Sequence, residues 1–285
     1  MGRGPDDDAV VWLDGRLVPV AEAAVSPFDH GMTVGDGVFE TIQVVRGTPF
    51  AARRHLGRLR RSAAGLGLVV PVDDGELRRA LRAVVAANRV ERGRLRLTVT
   101  GGSGPLGSDR GDATPTVVVA TGPLPAWERS TGVVTVPWPR NEHSAVAGLK
   151  TTSYAENVVA LAEARRRGAH EALFGNTRGE LCEGTGSNVF VALGDALVTP
   201  PLTSGCLAGI TRELLLEWAA KDGLPVEERA VPLWVLGTVQ DVVLTSSTRD
   251  VQPVATVDGR HLGGGELGKA AAELFARRAA VGIDP

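Results

Sequence analysis

A proline-rich divide near the middle of the chain constrains the fold most. Gly122-Pro123-Leu124-Pro125 and Pro137-Trp138-Pro139 bracket a stretch where proline's fixed φ and missing N–H disfavour helix and central strand alike. Strong apolar periodicity lies on both sides. The pattern predicts an N-terminal α/β domain over 10–122, an interdomain linker over 123–139 and a C-terminal α/β domain over 140–285. Residues 1–9 read as a disordered acidic tail. With 285 residues, each half is long enough for its own core.

In the first half, Asp14-Gly15 predicts a tight hairpin turn. Strands are expected over 38–45, 94–100 and 116–121, with helices over 53–66 and 76–88. In the second half, helices are expected over 155–167, 211–221 and 266–279, and strands near 171–175, 187–193 and 241–246. Strands and helices mix without regular βαβ order, so the fold class is mixed α/β (α+β).

A net charge of −2 with interspersed arginines shows no basic face for nucleic acid. No run approaches the ~20 apolar residues of a membrane span, and the acidic N-terminus lacks a signal peptide's apolar core. The expectation is a cytoplasmic protein. Cys182 and Cys206 make no disulfide framework, and the five histidines lack ligand spacing, so no metal site is expected.

Three lysines stand against twenty-eight arginines. Lys221 suits the end of a helix that stops at Gly223, and Lys269 the polar face of the last helix. Lys150, in Gly148-Leu149-Lys150-Thr151-Thr152-Ser153-Tyr154, has no such explanation. Arginine is never usefully deprotonated and is a poor nucleophile. A lysine kept in such a chain is a candidate chemical group.

Gly102-Ser103-Gly104-Pro105-Leu106-Gly107 matches the dinucleotide GxGxxG pattern. That motif needs a following helix to set against a pyrophosphate, and Ser108-Asp109-Arg110-Gly111 cannot start one. A loop bordering a substrate pocket is the better reading. Further on, Glu183 precedes the polar turn Gly184-Thr185-Gly186-Ser187-Asn188. Gly205-Cys206-Leu207-Ala208-Gly209-Ile210-Thr211 opens a helix, and Thr245-Ser246-Ser247-Thr248-Arg249 ends a strand in hydroxyls.

With Asp29-His30-Gly31, Gly35-Asp36-Gly37-Val38-Phe39-Glu40-Thr41 and His55-Leu56-Gly57-Arg58-Leu59, these blocks resemble the class IV (fold-type IV) pyridoxal-phosphate enzymes. That family includes branched-chain aminotransferases, D-amino-acid transaminases and aminodeoxychorismate lyases. The resemblance runs along nearly the whole chain. It implies a two-domain D-amino-acid-aminotransferase-like fold with pyridoxal 5′-phosphate in the cleft, a small amine or amino-acid substrate, and a homodimer.

Carried over residue by residue, the resemblance makes Lys150 the Schiff-base lysine and Glu183 the carboxylate that keeps the pyridine nitrogen protonated. Arg58 becomes a bidentate phosphate ligand. Ile210 and Thr211, opening a helix, offer amides for the same anion. Ser247 and Thr248 form the last phosphate and substrate-carboxylate turn, and Ser187 and Asn188 belong to the cofactor turn. Tyr154 stands beside the pocket, while Phe39 and Arg96 line the substrate side. Phe39 and Tyr154 would read equally well as core residues.

Two reactions are compatible. The strand Arg94-Leu95-Arg96-Leu97 lacks the tyrosine and proline of branched-chain aminotransferases, and the following loop lacks the histidine of D-amino-acid transaminases. Its glycines resemble aminodeoxychorismate lyases, which favours that activity, although Gly101 and Leu106 stand where lyases often carry arginines. The alternative is an aminotransferase acting on a branched-chain or D-amino acid. A catalytically silent relative is opposed by Lys150, Glu183 and Arg58 together.

Overall fold

Antiparallel pairing accounts for the missing βαβ order in the first sheet, while the second mixes antiparallel and parallel pairs. The computed structural model describes residues 9–285, so all but the last residue of the expected tail lies outside it. The chain divides into two units. One holds the chain through Pro125 together with Leu149–Tyr154; the other holds Ala126–Gly148 and Ala155–Ile283.

In the first unit, β1 (Val10–Leu13) and β2 (Arg16–Pro19) form the expected hairpin. Asp14 and Gly15 turn it with φ of 43° and 98°, the two positive values a type I′ turn needs. There follow α1 (His30–Thr33), β3 (Gly37–Val45), β4 (Thr48–Pro49), α2 (Ala52–Gly65), α3 (Asp74–Ala87), β5 (Arg92–Thr100) and β6 (Thr116–Gly122). The strands make one antiparallel sheet in the order β2-β1-β6-β5-β3-β4. Period-two alternation decides its faces. Leu95, Leu97 and Val99 of β5 and Val38, Ile42 and Val44 of β3 are buried with Leu56, Leu59 and Leu81 of the helices. Arg94, Arg96 and Thr98 take the opposite phase on β5.

The second unit contains β7 (Thr131–Thr135), α4 (Ala155–Arg166), β8 (Glu171–Gly175), β9 (Leu181–Gly184), β10 (Asn188–Leu193) and β11 (Ala196–Thr199). It continues with α5 (Ile210–Asp222), β12 (Val226–Glu228), β13 (Val242–Ser246), β14 (Asp250–Val257), β15 (Arg260–His261) and α6 (Glu266–Ala279). Its sheet runs β12-β11-β10-β13-β14-β7-β8-β9, with β15 on β14. Ala160 and Ala164 of α4 pack with Val134, Val136 and Phe174. Trp218 of α5 meets Phe275 of α6 at 5.1 Å between ring centroids. Gly223 ends α5 in the left-handed region, φ 76°, the usual way a helix stops at glycine.

Two boundaries differ from expectation. Thr131–Thr135, inside the expected linker, is a strand parallel to β14 and β8; Pro137 and Pro139 fall after it ends and leave its ladder intact. Lys150, assigned by sequence to the C-terminal domain, belongs with the first unit. The reason is backbone pairing to β3: Phe39 N donates to Lys150 O at 3.1 Å and Thr152 N to Gly37 O at 2.8 Å. Among the described residues, no helix is long and apolar enough to cross a membrane.

Candidate active site

Lys150 sits on a short segment pinned from several sides within the first unit. Besides its pairing with β3, Lys150 N donates to Ser62 Oγ at 3.0 Å. Thr152 and Ser153 hydroxyls donate to Gly35 O at 2.8 and 2.9 Å. Leu149 packs so closely that a Cβ on Gly65 would lie 2.6 Å from it. The half-buried lysine places Nζ 4.3 Å from the centroid of Phe39 and 5.8 Å from that of Tyr154. Those two rings meet edge to face at 5.3 Å. The Arg96 guanidinium lies over Phe39, 3.2 Å from its centroid, and its Nε donates to Thr98 Oγ1. One ring thus gathers an amine and a guanidinium.

Behind β3 is a buried charge cluster. Glu40 is fully buried and accepts from Arg58 Nε at 2.8 Å, Arg58 Nη2 at 2.6 Å and His55 Nδ1 at 2.7 Å. Burial alone would raise the Glu40 carboxyl, but the Arg58 charge and the hydrogen bonds outweigh it and hold it at about 2. Burial lowers His55 despite the carboxylate, so it donates as a neutral ring. The Nε–Nη2 edge of Arg58, expected on a phosphate, is turned on Glu40.

In the second unit, Glu183 on β9 accepts from Leu207 N at 2.9 Å. Its Oε1 lies 3.3 Å from Arg140 Nε. That nitrogen is buried and makes no directed hydrogen bond, so the contact is an ion pair. Arg140 stacks over Phe174 at 4.2 Å and donates to Glu156 and Asn157. Asn157 in turn donates to Thr185 O at 2.5 Å. Asn188 Nδ2 donates to Leu207 O. A Cβ on Gly209 would fall 1.9 Å from Asn188 Oδ1, so only glycine permits this approach. Ile210 and Thr211 open α5 without a side-chain cap from Gly209, which leaves a helix start suited to an anion. Ser247 and Thr248 form the turn between β13 and β14. Burial pushes the Cys182 thiol up and the Cys206 thiol up to about 11, so both are neutral packing groups.

Residues 37–257 match the family model for class IV amino-transferases. The chain belongs to that family. Class IV aminotransferases are pyridoxal-phosphate-dependent enzymes of fold type IV. A D-alanine aminotransferase from Bacillus licheniformis is 35% identical over 90% of this chain and 92% of its own. An aminodeoxychorismate lyase from Bacillus subtilis is 29% identical over 87% of each. A crystal structure of a branched-chain aminotransferase from Thermoproteus uzoniensis with norvaline superposes with a TM-score of 0.88 at 32% identity, covering 94% of each chain.

Each unit of this class IV family member holds donor types that suit the cofactor: an amine in the first, for an aldehyde, and in the second a carboxylate with its own counter-ion and a helix start, for a protonated pyridine and a phosphate. Within the first unit Lys150, Phe39, Tyr154 and Arg96 come together. Within the second, Glu183 and Asn188 are joined through Leu207 to the start of α5. Ser187 Oγ is bonded to Glu171 at 3.1 Å. The GxGxxG segment is a loop with no helix, and Gly102 has φ 80°. The arginine of that loop, Arg110, binds Asp36 through Nε and Nη2, both at 2.6 Å.

Sequence reasoning missed Glu40, Arg140, Glu171 and Arg249. Glu40 was detectable, because it shares the inward phase of Val38, Ile42 and Val44, and a carboxylate in that phase needs a buried partner. Glu171 likewise opens a strand that is otherwise apolar. Arg140 and Arg249 carry no local signal.

Proposed function

We propose that this class IV enzyme is an amino-acid aminotransferase, exchanging an amino group between a branched-chain or D-amino acid and a 2-oxo acid through Lys150. The observation that carries this reading is Lys150 and Arg96 meeting at Phe39, an amine beside one cation for a carboxylate. The loop arginine is committed to Asp36 and to the carbonyls of Leu66 and Gly67. One such cation suits a monocarboxylate better than the dicarboxylate 4-amino-4-deoxychorismate.

When bound, pyridoxal phosphate supplies an aldehyde that captures amines and a ring that takes up the electron pair left by a broken Cα–H bond. Lys150 Nζ would hold the aldehyde at rest and, once freed by the substrate amine, would take the proton from substrate Cα as a base and deliver it, as an acid, to the carbon that had been the aldehyde. Glu183, anchored by Leu207 N and Arg140, would keep the ring nitrogen protonated. Arg58, fixed by Glu40, would offer a cation to the phosphate, and Ile210, Thr211, Ser247 and Thr248 would offer it amides and hydroxyls. Ser187 and Asn188 shape the cofactor turn, and Tyr154 borders the ring. Arg96 orients the substrate carboxylate, and Phe39 walls off its side chain. A homodimer and cytoplasmic residence complete the proposal.

The glycine-rich loop over 101–107 supports a second reading as 4-amino-4-deoxychorismate lyase. Lys150 would then remove the ring proton, and 4-aminobenzoate and pyruvate would leave. Adding an amino acid alone separates the two. The aminotransferase reading expects stoichiometric pyridoxamine phosphate and 2-oxo acid. Turnover of aminodeoxychorismate without that conversion would establish the lyase instead.

A further inference from the structure

Glu171 opens β8 with its side chain almost wholly buried. Its two oxygens face two different turns. Oε1 accepts from Thr185 Oγ1 at 2.9 Å, Gly186 N at 2.7 Å and Ser187 Oγ at 3.1 Å, all in the turn that directly follows Glu183. Oε2 accepts from Arg249 Nη2 at 2.5 Å, the residue after Ser247 and Thr248. Arg249 is itself buried, donates to Gln252 Oε1 at 2.9 Å and lies over Trp127 at 4.0 Å. A Cβ on Gly184 would approach Oε1 to 2.8 Å, so the turn closes tightly on the carboxylate.

We infer that Glu171 is a positioning residue: it clamps the 184–187 turn to the 246–249 turn, so that Glu183 and the Ser247–Thr248 hydroxyls are preformed for the cofactor. The inference rests on the reading that those residues hold pyridoxal phosphate. A buried carboxylate is tolerated only when its lone pairs are satisfied, and here Thr185, Gly186 and Ser187 of one turn and Arg249 of the other do so. A charge is needed because Arg249 is buried on the far oxygen. A neutral amide would satisfy one turn and present N–H groups to the other. Preorganised groups bind without the ordering that loose turns require.

Three variants test this: Glu171→Gln, Arg249→Met and the double substitution. Each apoprotein is titrated with pyridoxal phosphate well below its melting temperature, with folding checked by circular dichroism. The pH midpoint of the visible absorption band is then read on the loaded protein. Glu171→Gln should weaken cofactor binding by roughly tenfold, the scale of outer-shell partners at metal sites, and shift the band's midpoint. Arg249→Met should do less, because Oε1 keeps its three donors. The double variant should recover much of the loss, since no guanidinium is then left unpaired. A purely architectural Glu171 would lower the melting temperature and leave the midpoint unmoved. Folded Glu171→Gln with wild-type affinity and midpoint would overturn the inference. If Glu171→Gln does not fold, wild-type binding and midpoint in Arg249→Met would overturn it. Wild-type protein that binds no cofactor at Lys150 would overturn the functional reading as well.

Discussion

Glu40 and Glu171 are both buried carboxylates paired with buried arginines, one in each unit, and they are used differently. Glu40 turns both oxygens on side chains: the Arg58 fork and the His55 ring. Glu171 gives one oxygen to an amide and two hydroxyls of the 184–187 turn and the other to Arg249. The first arrangement fixes the direction of an arginine on a rigid helix. The second touches two turns, one between β9 and β10 and one between β13 and β14. One carboxylate meets only side chains of a single helix; the other joins an amide and two hydroxyls of one turn to an arginine of another.

The largest effect is expected at Lys150, the reacting amine of the proposed function. Lys150→Ala should lower turnover by roughly a thousandfold or more, in the range set by losing a general acid–base, and abolish the visible band. Residual colour attached to another lysine after borohydride reduction would argue against the assignment. Glu40→Ala comes next. It strands Arg58 and deprives His55 of its acceptor, and removing one member of a buried pair costs about 3 to 5 kcal/mol. Urea unfolding should show that loss in the apoprotein, with a larger drop in apoprotein stability than Glu171→Gln produces.

Acid sharpens the contrast. Glu40 is held at about 2 against an ordinary 4.5, a depressed carboxyl. Its contribution is therefore complete above about pH 4.5 and is lost as pH falls from there through about 2. Wild type should lose stability over that window more steeply than Glu40→Gln, read by thermal melts at pH 5, 4 and 3. Equal slopes would mean that the Arg58 pair contributes little. The smallest effect is expected at Arg96→Met, which should raise KM for the 2-oxo acid by about tenfold, the loss of one charge-assisted contact of about 1.5 kcal/mol, with kcat changed less.

Lys150, Glu183 and the turn blocks were legible because they are local: a rare residue type, glycines at fixed spacing, hydroxyls after a strand. The elements were legible for the same reason, since periods of 2 and 3.6 are written into neighbouring residues. Arg58 stood in a recognisable block, but its engagement with Glu40 did not show. Thr131–Thr135 was hidden by the prolines around it, because proline marks what cannot lie in a ladder without saying where the ladder ends.

The sequence by itself determined the family, with its cofactor chemistry, and the order of the elements. Tertiary structure alone decided which charges meet. Arg249 reaches Glu171 across 78 positions and Arg110 reaches Asp36 across 74, and it was β3 that drew the Lys150 segment into the first unit. Local rules describe residues that share a turn or a strand. A buried charge finds its partner through the packing of the whole unit, because a low-dielectric interior tolerates the ion only where chain folding brings its counter-charge.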